Sequence, residues 1–106
     1  MEVKEYVRID GSNPFNKWFN RLDAQAAVKV TVAIARIEQG NSSNIKWFKG
    51  LGEYRINWGP GYRLYFAQEG KKLIILFGGG TKKRQQKDIE RAAELLREYK
   101  SRKRSR

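Results

Sequence analysis

A hairpin is written into residues 53–66, and the rest of the chain has to be built around it. Glu53-Tyr54-Arg55-Ile56-Asn57-Trp58 and Tyr62-Arg63-Leu64-Tyr65-Phe66 each alternate polar with apolar side chains, and Gly59-Pro60-Gly61 joins them. That is the pattern of two half-buried strands around a tight turn. A three-residue loop pairs Trp58 with Tyr62, which sets Ile56 against Leu64 and Tyr54 against Phe66 on one apolar face. The other face then carries Asn57, Arg63, Arg55 and Tyr65 and lies away from the core. After a second turn at Gln68-Glu69-Gly70-Lys71, residues 73–77 are continuously apolar, which predicts a central strand covered on both faces. Gly78-Gly79-Gly80 ends that strand in this reading and lets the chain turn sharply out of the sheet.

Upstream, residues 3–9 mix β-branched and charged residues and read as a first strand, with Asp10-Gly11 as its exit. Asn13-Pro14 supplies a cap and a first helical residue, and Phe15, Trp18, Phe19 and Leu22 follow at helical spacing. Asp23 caps a second helix that ends at Gly40. Val28, Val30, Val32 and Ile34 alternate as a strand would, but alanine content, length and terminal signals decide for a helix with Ala27, Val30, Ile34 and Ile37 inward. Residues 45–48 form a short extended segment before the bend at Gly50-Leu51-Gly52. A last helix starts near Lys83, because Ile89, Ala92, Ala93, Leu96 and Tyr99 recur at helical spacing. From Lys100 onward five of seven residues are basic, which reads as a frayed tail over 100–106. The order is β-α-α, three or four antiparallel strands, then α: an α+β fold with helices on one face of a small antiparallel sheet, in a single domain over residues 1–99.

Composition restricts the chemistry. Lys and Arg number 23 against 11 Asp and Glu, a net +12 with a pI near 10.2, so a polyanion is the natural partner class. With neither His nor Cys in the chain, structural zinc, thiol catalysis and His-based proton transfer are excluded, and no acidic cluster has the spacing of a magnesium or calcium site. No metal and no cofactor are expected. No stretch approaches the roughly 20 apolar residues of a membrane span, and the first residues lack a signal-peptide pattern, which predicts a cytoplasmic protein away from membranes.

The cations after the glycines conflict with stability. Lys82, Lys83, Arg84 and Lys87 sit at or just before a helix N-terminus, where the macrodipole disfavours each cation by about 0.3–1 kcal/mol. Backbone N–H groups there, with these cations, form an anion site suited to phosphate; the plain alternative is a solvated charge run. Arg63 shares its face with Tyr65 and Asn57, a set able to hold a phosphate and stack a base, whereas long cations on an open sheet can also simply cover it. Trp47 is open between core edge and base stacking. The triple glycine lacks the spacing of a nucleotide-binding loop.

Taken together, Glu53-Tyr54-Arg55-Ile56, then Gly61-Tyr62-Arg63-Leu64-Tyr65-Phe66, then residues 73–80 with Thr81-Lys82-Lys83, and Gln86-Lys87-Asp88-Ile89 before an Ala-rich helix resemble the RelE/ParE toxin superfamily. The likeness is closest to its HigB-like, phage-related addiction module killer branch. The resemblance implies a RelE-like β-α-α-β-β-β-α fold and the toxin half of a type II toxin–antitoxin module: a ribosome-dependent mRNA endonuclease, or, in the ParE branch, a DNA gyrase inhibitor. A non-catalytic RNA- or ribosome-binding module is a third reading, from charge alone. By position, the resemblance places Arg63 at the scissile phosphate, Arg55 at a residue of proton transfer or charge stabilisation, and Lys82, Lys83 and Arg84 in a further cationic turn. Arg63, Arg55, Lys83 and Arg84 are thus the expected catalytic set, with Lys82, Lys87, Tyr65 and Asn57 contacting RNA. The expected partners are the ribosome, its mRNA and a cognate helix-turn-helix antitoxin. The C-terminal catalytic Tyr of some RelE members is absent, since Asp88 and Ile89 occupy that region, and so are the His residues of some HigB members; Tyr65 or a neighbouring Lys is left as the proton carrier.

Overall fold

A computed structural model describes residues 1–105. The chain runs β1 (Glu2–Glu5), α1 (Pro14–Phe19), α2 (Ala24–Glu38), β2 (Ile45–Phe48), β3 (Leu51–Arg55), β4 (Arg63–Glu69), β5 (Leu73–Gly80), a 3₁₀ turn (Lys82–Arg84) and α3 (Gln85–Arg104). The five strands form one sheet in the order β1-β5-β4-β3-β2. Three successive reversals make β2 to β5 antiparallel, but β1 runs parallel to β5, with Glu2 opposite Leu73 and Glu5 opposite Leu76. The sheet is therefore mixed rather than antiparallel. The apolar run of β5 needs a neighbour on each edge, and the first strand, returned by no hairpin, takes the free edge in the same direction.

Both short-range helix signals act as expected. The Asn13 side chain accepts from Asn16 N at 3.0 Å ahead of Pro14, and Asp23 accepts from Ala26 N at 2.9 Å. Ala26, Val30, Ala33 and Ile37 of α2 face inward and leave Val28 and Val32 exposed. Val30, Ala33 and Ile37 pack with Phe15, Tyr54, Leu64, Phe66, Ile74 and Leu76 on one side of the sheet. The opposite side packs Tyr6, Leu51, Tyr65, Ala67, Ile75 and Phe77 against Ala92, Leu95 and Leu96 of α3. The helices are thus not confined to one face: α3 covers the other, as residues 73–77 demand.

Several local expectations shift. The hairpin's last ladder pair is Arg55 with Arg63, followed by Ile56 N donating to Tyr62 O at 2.9 Å. The loop is then longer than three residues, with Gly59 and Gly61 at φ of 57° and 75°, values that glycine alone adopts readily. Pairing slips by an even number, so every side chain keeps its face, but Glu53 now stands opposite Tyr65 and Tyr54 opposite Leu64. Asn57 leaves the strand for the exposed loop. Residues 6–9 are not strand, and the basic tail is not frayed: α3 continues through Arg104, and Arg102 Nη1 donates to Val7 O at 2.9 Å. Residue 106 lies outside the described residues. Among the described residues, no helix is long and apolar enough to cross a membrane.

Candidate functional site

The sheet face beneath the start of α3 gathers most of the chain's unusual polar groups. Glu53 is fully buried, and its carboxyl accepts from Gln85 Nε2 at 2.8 Å, Tyr65 Oη at 3.1 Å and Arg55 Nε at 3.2 Å. One acid thereby ties β3, β4 and the first residue of α3 together. Tyr65 is only 1% exposed. Burial, followed by the neighbouring Glu53 charge, pushes its phenol far above the ordinary range. It has no ring face to offer a base and is poorly suited to carrying a proton, contrary to its expected role.

Arg63 is 6% exposed, buried rather than lying on an open sheet. Its Nη1 donates to Gly61 O, and its Nε is buried without a partner. A Cβ on Gly61 would lie 2.7 Å from that Nη1 and 3.3 Å from Lys82 Cβ, so the glycine admits both side chains to one corner. Lys82 N also donates to Pro60 O at 3.3 Å, anchoring the basic turn to the hairpin loop.

The triple glycine stays within β5, paired with Arg63, Leu64 and Tyr65 across β4, and a bulge falls between Tyr65 and Phe66 in the register. Its missing side chains are filled from both sides. The Trp18 ring occupies the place of a Gly79 Cβ, and the Asp88 carboxyl that of a Gly80 Cβ. Asp88 Oδ2 is buried with no hydrogen-bond partner. Burial raises the Asp88 carboxyl above its ordinary range, with Arg84 working in the opposite direction.

Along this glycine segment opens a cleft of about 590 Å³, with Lys17 and Trp18 of α1 and Arg21 of the turn after it on one wall, Arg84 of the 3₁₀ turn with Asp88 and Arg91 of α3 on the other, and residues 77–80 as the floor. Of the expected residues, Tyr65 and Arg84 line this cleft; Arg63, on the strand paired with its glycine floor, is outside the lining, with Lys82 beside it. Lys83 and Lys87 are exposed. Arg55 and Asn57 lie apart, at a smaller groove of about 300 Å³ shared with α2. Trp47, 46% exposed, stands edge-on to Phe66, a core-edge residue. Lys17, Arg21, Arg91 and Asp88 were not singled out as site residues. Lys17 lies in α1 and Arg21 in the turn that follows it, and only the topology brings them to the same cleft as residues of α3. Among the described residues, no three carboxylates gather to hold a metal ion.

The fold and cleft define a small basic α+β protein with a five-stranded mixed sheet between helical layers. No protein-family model matches the chain. A Haemophilus influenzae protein described as uncharacterized is 36% identical over 94 residues, covering 87% of this chain and 95% of its own. The chain belongs to the same family as that protein.

Proposed function

We propose that this chain is a RelE-like toxin that cleaves ribosome-engaged mRNA in the cytoplasm and is neutralised by a cognate helix-turn-helix antitoxin. The observation that carries this reading is the cleft. Four cations, Lys17, Arg21, Arg84 and Arg91, line a glycine floor, and the Arg63 guanidinium, on the strand paired with that floor, keeps a buried Nε without a partner. Single-stranded RNA is the polyanion such a cleft suits, since phosphates track cations while bases lie on aromatic walls such as Trp18 and Tyr62. The element order, with β1 and the α1–α2 pair preceding the strand meander, is part of the same reading.

In the reaction, the ribose 2′-oxygen attacks the adjacent phosphorus and the bond to the 5′-oxygen breaks. The products are a 2′,3′-cyclic phosphate and a free 5′-hydroxyl. Charge grows on the phosphoryl oxygens as the five-coordinate state forms, so fixed donors accelerate the step by binding that state more tightly than the substrate. Arg84 reaches the phosphate from the cleft wall, and Arg63 supplies the desolvated donor below it. Arg55, held by Glu53, adds positive potential.

Primer extension on a ribosome-engaged transcript tests this. The parent protein cuts the message, and Arg63→Ala cuts about 10²–10³-fold more slowly, the usual loss for one transition-state donor. Arg63→Lys, which keeps the charge but loses the planar fork, falls between them. Equal cleavage by Arg63→Ala removes Arg63 from the site. Growth arrest with intact message and damaged DNA instead identifies a gyrase inhibitor, and salt-sensitive ribosome binding without scission identifies a non-catalytic module.

A further inference from the structure

We infer that the smaller groove, between α2 and the hairpin loop, is a docking site for an acidic amphipathic helix of a partner protein. The alternation of Val28, Val30, Val32 and Ile34 gives α2 more apolar residues than its core face needs. Ala26, Val30, Ala33 and Ile37 are buried, whereas Val28 is 61% exposed and Val32 42%. Val28, Val32 and Arg36 recur at i, i+4 and i+8, one stripe along the helix, and all three line the groove. Valine is a weaker helix former than the Glu or Lys usual on a solvent face, so helix stability does not explain the stripe. Tyr54, Ile56 and Trp58 line the same groove, as do the cations Lys29 and Arg55, and no carboxylate does. Among the described residues neither Lys29 nor Arg36 is in an ion pair. Arg55 engages Glu53 through its Nε, and its side chain remains 44% exposed.

A helix with carboxylates flanking an apolar stripe answers both features: its stripe takes Val28, Val32 and Ile56 out of water, and its acids meet the three cations. An extended segment has no strand to pair with here, since β3 already lies between β2 and β4 in the sheet. RNA fits less well. Exposed valines offer nothing to a phosphate, and the Trp58 ring is already stacked on Tyr62, at 6.2 Å and 22°, and lies under Lys29 Nζ at 5.5 Å. A second copy would bring one chain of +12 against another. The larger cleft is of a different kind, because none of the exposed large hydrophobic residues lines it. No residue lines both sites, so a helix seated in the groove leaves the lining of the cleft uncovered.

A plainer role for Arg36 is to complement the dipole at the last turn of α2. A role of that kind alters melting temperature without altering binding, so both are measured. The probe is a synthetic peptide of about 20 residues, long enough to be helical, with leucines on one helical face and glutamates on the rest. A scrambled peptide of the same composition and one with lysines in place of the glutamates are the controls. Backbone amide NMR of the whole chain follows each titration. The acidic amphipathic peptide shifts amides of residues 28–36 and 55–58 and leaves those of residues 78–91 in place; the controls do neither. Val32→Ser, which keeps a similar helix propensity, weakens binding about tenfold, the scale of one aliphatic group taken out of water, and Arg36→Gln weakens it as well. If Val32→Ser unfolds, Lys29→Gln and Arg36→Gln, both at exposed positions, decide. Equal shifts with the scrambled peptide, shifts that fall on the cleft, or no binding at millimolar peptide overturn the site. A single-stranded RNA oligomer that moves the groove amides more than the peptide does also overturns it, and gives the groove to nucleic acid. Peptide binding is read whether or not the cleft cleaves RNA, so the two readings fail separately.

Discussion

Individual side chains in this protein are understood best by what occupies the space they leave. Gly79 and Gly80 read in the sequence as the end of a strand, because glycine weakens strand interiors. They remain in β5 because Trp18 and Asp88, from helices on opposite faces, press onto them. That contact joins residues about 60 and 8 positions apart, and no local pattern announces it. A Gly79→Ala Cβ would meet Trp18 at 2.5 Å from Cη2 and 2.7 Å from Cε3, and the ring is held by the Phe15 cluster rather than free to swing away. Gly79→Ala should therefore lose about 1–3 kcal/mol, the range for overpacking, read as a lower urea midpoint with an unchanged slope. Glu53 presents the opposite case, a charge removed from water whose partners depend on it. Glu53→Ala leaves the Tyr65 hydroxyl and the Gln85 amide without their acceptor, and about 1–3 kcal/mol per stranded buried group is the expected scale. Urea unfolding checks this; Arg55, being half-exposed, is rehydrated and adds little.

Between elements, the decisive packing is that of α3 on the second face of the sheet. Its apolar positions were legible from spacing, and so was the need for residues 73–77 to be covered twice. What sequence did not reveal is that the helix supplying that second cover also lies over Tyr65, because alternation assigns residues to faces without saying what comes to rest there. The clamp at the far end of α3 escaped notice for a similar reason. Glu98 accepts from Arg8 Nη2 at 2.9 Å and from Tyr6 Oη at 2.6 Å, across 90 and 92 residues. These hydrogen bonds, Arg8 first and Tyr6 second, hold the Glu98 carboxyl below its ordinary value of 4.5. Between the native and unfolded ionisations the unfolded chain therefore binds more protons, so stability rises with pH across that window. The contribution is complete above about pH 4.5 and is lost as pH falls through the lower native value. Thermal unfolding from pH 3 to 7 should show Glu98→Gln losing stability near neutrality and a shallower acid slope than the parent. Identical slopes would mean that the clamp is not coupled to folding.

At the scale of the whole molecule, net charge was visible at once but its distribution was not. A chain at +12 binds polyanions by counterion release wherever its cations cluster, so affinity alone does not locate a site. The cleft makes a sharper demand, because Lys17 and Arg21 come from one wall and Arg84 and Arg91 from the other. If a single RNA strand lies between α1 and α3, removing a cation from either wall should reduce the slope of log affinity against log salt by about 0.7, the single-strand value per phosphate. The four cations are not equivalent, however. Arg91 Nη1 sits 3.3 Å from Glu94, both about half exposed, and a partly neutralised guanidinium releases less counterion. Arg21→Ala should therefore flatten the slope more than Arg91→Ala, and Arg84→Ala should flatten it while also slowing cleavage, since Arg84 is the cleft cation proposed to reach the phosphate. Salt titrations of a fluorescent RNA oligomer with the single variants and an Arg21→Ala/Arg84→Ala pair measure this. Additive slope changes from opposite walls place the strand in the cleft, whereas a loss confined to α3 places it on the outer surface of that helix and leaves α1 with no part in binding.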